Sequence, residues 1–263
     1  MSRPSLTGLV LTYNGARLLE KCLRSLDFCD HLLVVDSNSQ DQSRQIAEAC
    51  RAKVLTRAWE GPAVQFKYAF EHIESKWVFS LDQDEMVSPE LRNSILSVLE
   101  SASEGEEAPA GYMCGRRSFY FDHFLRHSGW YPDRLPRLFR LEATEVRVSG
   151  AHYSFHVPGR TPVIAGDIIH YPYKDIGEQL EKHNYYTRRA AEEMHSRGRR
   201  GGIFVALLHA VTRFVKFYLL KRGFLDGRAG FILAVVEFQY AFLKYARLME
   251  LEAQAGRNKS GQK

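Results

Sequence analysis

Over its first hundred residues the chain alternates short apolar runs with stretches of helical periodicity. Residues 6–11 (L-T-G-L-V-L), 32–35 (L-L-V-V), 53–55 (K-V-L) and 77–81 (W-V-F-S-L) read as strands, and residues 15–26, 42–50 and 63–73 read as helices. Strands separated by helices of about ten residues predict βαβ units, hence a doubly wound, mostly parallel α/β sheet that binds ligands at the carboxyl edge of its strands. The topology brings three segments to that edge: Thr12-Tyr13-Asn14, Asp36-Ser37-Asn38-Ser39 and Asp82-Gln83-Asp84. All are short, polar and rich in carboxylate or amide groups. The first turn, T-Y-N-G-A-R, lacks the glycine patterns of a dinucleotide-binding domain or a Walker P-loop.

The run W-V-F-S-L-D-Q-D-E-M (77–86) ends in three carboxylates, Asp82, Asp84 and Glu85. Carboxylates this close raise one another's pKa unless a cation neutralises them. A hard divalent ion, Mg2+ or Mn2+, bridging them to substrate phosphates is one answer. A helix start is the other, because Ser88-Pro89-Glu90 follows as an N-cap, a first-turn proline and a first-turn acid. Both readings stand at this point.

After an acidic segment at 100–110, residues 111–117 resume as a strand and a loop-rich aromatic stretch runs to about Tyr173. A polar helix follows at 177–197, then two long aromatic-rich helices at 204–220 and 228–251. In the last, Phe231, Val235, Phe238, Phe242, Tyr245 and Met249 recur at four- and three-residue steps as one apolar seam. The charge-free run 201–212 is shorter than the roughly 20 residues a spanning helix needs. Arg213, Lys216, Lys221 and Arg222 lie among Phe214, Phe217, Tyr218 and Phe224, the pattern of an amphipathic segment at a membrane interface. A hairpin packed on the sheet is the alternative.

With 263 residues, 45% hydrophobic and 25% charged, the chain suffices for one large domain or a domain with an appendage. Its four cysteines form no CxxC pair and read as reduced residues of a cytosolic protein. The first residues show no signal-peptide core. The net charge of +5 hides an asymmetry: 20 Lys and Arg face 23 Asp and Glu up to Asp175, against 16 and 8 beyond it. A basic tail on a slightly acidic body points to an anionic partner.

Five motifs in order carry a family resemblance. L-T-Y-N resembles an opening T-Y-N-E, L-L-V-V-D-S-N-S-Q-D-Q-S resembles I-V-V-V-D-S-G-S-T-D-x-T, and W-V-F-S-L-D-Q-D-E resembles W-x-L-x-L-D-A-D-E. Further on, G-W-Y-P-D-R-L-P-R-L-F-R and K-R-G-F-L-D-G-R-A-G-F-I-L-A match two later signatures. Together they resemble the family 2 glycosyltransferases of GT-A fold, specifically bacterial lipopolysaccharide-core enzymes of the WaaE/LgtF type. The resemblance implies a GT-A-type α/β catalytic domain over 1–175, with a nucleotide-sugar half (1–110) and an acceptor half (111–175). Residues 176–263 would form amphipathic helices for membrane association.

It further implies a UDP-sugar donor, with Asp36 accepting the uracil N–H and Thr12 and Asn14 lining the nucleotide pocket. Asp84 would hold Mg2+ or Mn2+, and Asp82 would contact the ribose or the metal. Asp41 stands at the family's second acidic position and reads equally as a helix cap. Gln65 matches the glutamine of a Q-[KR]-N-x-A element, while Gly15 replaces the usual Glu and Phe66-Lys67 the usual basic residue and Asn. Lys67 compensates from one position along. The family inverts the anomeric centre, which requires a general base for the acceptor hydroxyl. Relatives carry V-H-E where this chain has Ala151-His152-Tyr153. The base candidates are then Asp133, which is preferred, His152 and Glu85. Trp130 offers a face for sugar stacking or packs under the acceptor loop. Arg137 and Arg140 meet acceptor phosphates or pair with Asp133 and Glu142. The implied acceptor is a lipid-linked glycan, the lipopolysaccharide core, and the implied location is peripheral on the inner face of the inner membrane. An anionic membrane surface, and no nucleic acid, is the expected macromolecular partner. Transfer to a polyprenyl phosphate or another polysaccharide, or a non-catalytic nucleotide-sugar-binding role, are the rivals.

Overall fold

The structure is a computed structural model that describes residues 3–101, 108–149 and 152–260, with the side chains of 149, 152 and 258–260 outside that description. Residues 102–107 of the expected acidic segment therefore lie outside the described residues. The chain divides into two compact units, Met1–Arg117 with Pro132–Tyr171, and Ser118–Tyr131 with Pro172–Lys263. Ser118–Tyr131 thus belongs with the helical unit, not with the acceptor half to which the sequence reading assigned it.

The first unit opens as β1 (Leu6–Thr12), α1 (Leu19–Arg24), β2 (His31–Asp36), α2 (Ser43–Ala49), β3 (Lys53–Thr56), α3 (Pro62–Phe70) and β4 (Trp77–Asp82). The four strands pair in parallel in the order β3-β2-β1-β4. Both faces of β1 and β4 are buried, which is why these strands are apolar at nearly every position. Trp77, Phe79 and Leu81 join one core cluster and Val78 the other, as the two-residue strand period requires. In register, Thr12 lies beside Asp36 and Leu11 beside Asp82, so the three polar segments do share one edge.

After β4 come β5 (Glu85–Val87) and α4 (Pro89–Glu100). Ser88 caps α4, its hydroxyl accepting from Leu91 N at 3.2 Å, so the helix start is real and coexists with the carboxylate cluster. β6 (Gly111–Tyr120) and β7 (His123–Phe124) follow, then β8 (Asp133–Arg140), β9 (Glu145–Ser149), β10 (His152–His156) and β11 (Val163–His170). The stretch expected to be loop-rich is therefore largely antiparallel strand. β8 pairs with β4 and β6, and β11 pairs with β5, setting His170 opposite Glu85. Pro136 disguised β8 as a loop. It sits where the β6–β8 register shifts at Tyr112/Met113, a bulge that tolerates a missing N–H.

In the second unit, α5 (Ile176–Ser196) is capped by Asp175 and buries Gln179, His183, Thr187 and Ala191, a four-residue stripe too polar for hydrophobic periodicity to reveal. α6 (Ile203–Val215) runs on through one wide π turn, Lys216–Leu220, and α7 spans Gly227–Ser260. The buried face of α7 is Leu233, Ala234, Ala241, Tyr245 and Leu248, whereas Phe231 and Val235 of the expected seam are exposed. Small residues decide this. Ala206 and Ala210 of α6 are buried too, and close helix packing selects small side chains over large rings. Phe204, Leu208 and Leu220 are left 84, 67 and 74% exposed. The expectation that no helix here reaches spanning length is corrected. Apolar residues on both sides of Arg213 and Lys216 extend Ile203–Leu220 to an 18-residue window of mean hydropathy 1.7, and Gly223–Arg257 also qualifies by length and composition.

His183 packs edge-on against Tyr240 at 5.0 Å, and burial together with nearby Arg213 pushes its pKa down to about 4. The fold holds this ring neutral while the unfolded chain protonates it near its ordinary value of 6.5. Stability is therefore full above that value and declines as pH falls toward 4. Denaturant unfolding at pH 7.5 and 5 is expected to show this loss, and His183→Gln to reduce it.

Candidate active site

The edge formed by β1, β2 and β4 holds two unpaired acceptors. Asp36, buried at the end of β2, accepts from Ser39 N at 3.0 Å through Oδ2, while its buried Oδ1 has no partner among the described residues. Gln65, fully buried on α3, donates from Nε2 to Ser37 Oγ at 3.0 Å and to Arg57 O at 3.2 Å. Its Oε1 is likewise buried and unpartnered. Buried acceptors without donors cost about 1–3 kcal/mol each, and a ligand presenting N–H or O–H groups at this edge would relieve that cost. Lys67 does not join them. It lies two positions beyond Gln65, roughly 200° around the helix, and is exposed.

The other predicted contacts on this edge are occupied in holding the loops. Thr12 Oγ1 donates to Gln83 Oε1 at 2.6 Å, Tyr13 N donates to the same oxygen at 2.9 Å, and Gln83 Nε2 returns a bond to Tyr13 O. Asn14, at φ 48°, accepts from Gln40 N through Oδ1 and donates its own N–H to Ser39 Oγ. Asp41 accepts from Ala16 N at 3.0 Å and from Ser43 N and Oγ. Burial alone would raise its pKa, but these bonds outweigh that and hold it below the usual carboxylate range. A Cβ on Gly15 would meet Gln83 Oε1 at 2.4 Å and Thr12 Oγ1 at 2.7 Å. Gly15 thus packs directly against the Gln83 side chain that holds this loop.

At the end of β4 a buried guanidinium organises the carboxylates. Arg137 Nη2 donates to Asp82 Oδ2 at 2.8 Å and to Glu85 Oε1 at 3.1 Å, and Nη1 donates to Tyr153 OH at 2.9 Å. Tyr153 in turn donates to Asp82 Oδ1 at 2.5 Å. Arg137 is only 4% exposed, so it pairs with Asp82 and Glu85 and meets neither acceptor phosphate nor Asp133. Burial would raise Asp82, yet Arg137 and the Tyr153 bond hold it down at about 2. Glu85, fully buried, is pushed up by desolvation despite Arg137, and burial drives the Tyr153 phenol far up. Glu85 has no solvent access through which to take a proton from an acceptor.

Asp133, the preferred base candidate, is 34% exposed and held by Arg116, whose Nε and Nη2 both reach its Oδ2 at 2.9 and 2.7 Å. Arg116 also reaches Glu85 Oε1 at 3.1 Å. The side chain of His152 lies outside the described residues. Trp130 belongs to the second unit, edge-on to Tyr120 at 6.3 Å in an apolar cluster, which is the packing reading of that residue.

Among the described residues no three His, Cys, Asp or Glu side chains form a metal cage. Both carboxylate oxygens of Asp82 carry a hydrogen bond, one from Tyr153 and one from Arg137. Asp84 fits a metal ligand, because His170 Nε2 stands 3.8 Å from its Oδ1. One carboxylate and one imidazole suit an ion whose remaining ligands are substrate oxygens and water. Sequence reasoning gave no role to His170, Arg116 or Tyr153. The β11–β5 register brings His170 in, and only the departure from V-H-E had marked Tyr153.

A groove of about 750 Å3 lies at the opposite edge, lined by Thr7, His31 and Lys53 near the strand starts. Ligands of open α/β sheets bind at the other end. Removing Arg137 would strip the fully buried Glu85 of one of its two guanidinium partners and the partly exposed Asp82 of its guanidinium, so Arg137→Ala should lower unfolding free energy by about 3 kcal/mol in urea titration.

The pattern of the family described as Glycosyl transferase family 2 matches residues 9–155. A lipopolysaccharide core biosynthesis glycosyltransferase, LpsC of Rhizobium meliloti (strain 1021), is 24% identical over 94% of this chain and 93% of its own. An uncharacterized glycosyltransferase of Rickettsia bellii (strain RML369-C) is 23% identical over 95% and 87%. Among solved structures, S. aureus TarS aligns at a TM-score of 0.39 and 19% identity over 53% of this chain and 29% of its own. Glucosyl-3-phosphoglycerate synthase from Mycobacterium tuberculosis, in complex with Mn2+, UDP and glucosyl-3-phosphoglycerate, aligns at 0.33 and 19% over 44% of each. This chain thus spans less than half the length of either solved structure. The family pattern covers more than half of the chain, and the chain belongs to glycosyltransferase family 2.

Proposed function

We propose that this glycosyltransferase is a metal-dependent inverting enzyme that moves a hexose from a UDP-sugar to a lipid-linked glycan, the lipopolysaccharide core, at the cytoplasmic face of an anionic membrane. The observation that carries the donor reading is the unpartnered Asp36 Oδ1 beside the unpartnered Gln65 Oε1, at the edge where Asp84 also stands. A uracil N3–H donated to Asp36 and a hydroxyl or amide donor to Gln65 relieve both. Asp84 with His170 would hold Mg2+ or Mn2+, which as a Lewis acid offsets the charge developing on a departing diphosphate. Asp133 then takes the acceptor proton. Its Oδ1 carries none of the described hydrogen bonds, and Arg116 on Oδ2 fixes its orientation. The relative LpsC, named for lipopolysaccharide core biosynthesis, supports the acceptor class. Exposed Phe204, Leu208 and Leu220 on a basic segment support peripheral association with anionic lipid.

A screen of UDP-sugars for UDP release, with core-truncated lipopolysaccharide as acceptor, tests the reading directly. Release from no UDP-sugar would overturn the donor. Label recovered only in a phosphate-linked lipid would move the acceptor to a polyprenyl phosphate. Asp36→Ala is expected to weaken UDP binding about tenfold by calorimetry, the equivalent of one charge-assisted bond of about 1.5 kcal/mol. Asp84→Asn should remove stimulation by Mn2+, and Asp133→Asn should remove transfer while UDP still binds. Phe204→Glu with Leu208→Glu should release the protein from phosphatidylglycerol vesicles in a sedimentation assay.

A further inference from the structure

The turn that leaves β1 carries a guanidinium that the proposed chemistry does not use. Arg17 Nη2 donates to Tyr171 O at 2.9 Å, which ties the β1–α1 loop to the residue just past β11. Tyr171 N donates in turn to Asp84 O at 3.1 Å, and the preceding residue, His170, holds its Nε2 3.8 Å from Asp84 Oδ1. Arg17 is thus fastened one residue from the imidazole of the Asp84–His170 pair. Its base is fixed as well. Gly15 N donates to Ser43 Oγ at 2.7 Å, Ala16 N to Asp41 Oδ2 at 3.0 Å and Leu18 N to Gly15 O at 3.1 Å. All of these residues belong to the first compact unit. A side chain held at both ends loses little further freedom when a ligand arrives.

Arg17 is nonetheless exposed, and among the described residues it faces no carboxylate. Only Nη2 is engaged there, and by a neutral carbonyl. Other cations of this unit are committed elsewhere. Arg137 and Arg116 face Asp82, Glu85 and Asp133, Arg57 is paired with Glu60 at 3.0 Å, and Lys67 is turned away on α3. A guanidinium with Nη1 and Nε unengaged suits two anionic oxygens of one phosphate group. A diphosphate carries more negative charge than a single divalent ion neutralises, which leaves charge for a second cation beside Asp84 and His170. Resting on the UDP-sugar reading, we propose that Arg17 binds the diphosphate of the donor and remains on it as UDP departs. The bond to Tyr171 O then sets where the guanidinium waits, and the remaining nitrogens meet the ligand.

Calorimetric titration with UDP and with uridine, in Mn2+ and in EDTA, compares wild type with two variants. Arg17→Gln removes the charge and keeps an N–H donor, whereas Arg17→Lys keeps the charge. Arg17→Gln is expected to bind UDP about tenfold more weakly in Mn2+, the loss of one charge-assisted bond, with uridine affinity within about twofold of wild type. Arg17→Lys should recover part of that loss. In EDTA, where no ion assists, the preference of wild type for UDP over uridine should disappear in Arg17→Gln. Because Arg17 is exposed, both variants should unfold in urea at the wild-type midpoint. Unchanged UDP affinity in Arg17→Gln overturns the proposal. So does an equal loss for UDP and uridine, because a residue that only holds the loop affects both. If wild type binds neither probe, the donor reading itself fails and this inference falls with it. If wild type binds UDP and Arg17→Gln matches it, the donor reading stands and the assignment of Arg17 alone is lost.

Discussion

A single buried cation, Arg137, is the constraint on which the carboxylate cluster at the end of β4 depends. Asp82 ends β4 partly exposed, and Glu85, fully buried at the start of β5, would be costly as an isolated carboxylate. One guanidinium serves both, and its planar fork lets it bond a third group, Tyr153, at the same time. Arg116 extends the array from Glu85 to Asp133. The result is a chain of alternating charges running from β4 across β5 and β6 to β8, with each carboxylate facing an arginine.

That arrangement divides labour among three acids only a few residues apart. Asp82 is held ionised and fully bonded, which makes it a structural anchor. Glu85 is sealed from solvent and joins two arginines. Asp84 stands 3.8 Å from the imidazole of His170. The neighbours contributed by β8, β10 and β11 make these acids different.

The first half of the fold was legible because its strands are buried on both faces. Such strands must be apolar throughout, and the helices between them show their own period, so β1 to β4 and their shared polar edge follow from the sequence. The second half was not. β8 contains Pro136 at a bulge, β10 alternates aromatic with polar residues, and α5 buries Gln, His and Thr. Hydrophobic periodicity carries no signal where buried positions are polar. The expected seam of α7 holds at Tyr245 and Phe242 but not at Phe231 and Val235, since large rings dominate a periodicity search while small residues set how closely helices approach.

In the site, Asp36, Asp84, Gln65 and Asp133 were visible as residue types at expected positions, and Gly15 as a departure. The sequence by itself determined which acids and amides reach the sheet edge, because strand order and length dictate where each chain segment emerges. Only the tertiary structure decided what each group does there. Pairing, burial and exposure depend on contacts between residues distant in the chain: Arg137 with Asp82, Tyr153 with Asp82, His170 with Asp84 and Gln83 against Gly15. No local pattern encodes those contacts, and they are what separates a ligand from an anchor.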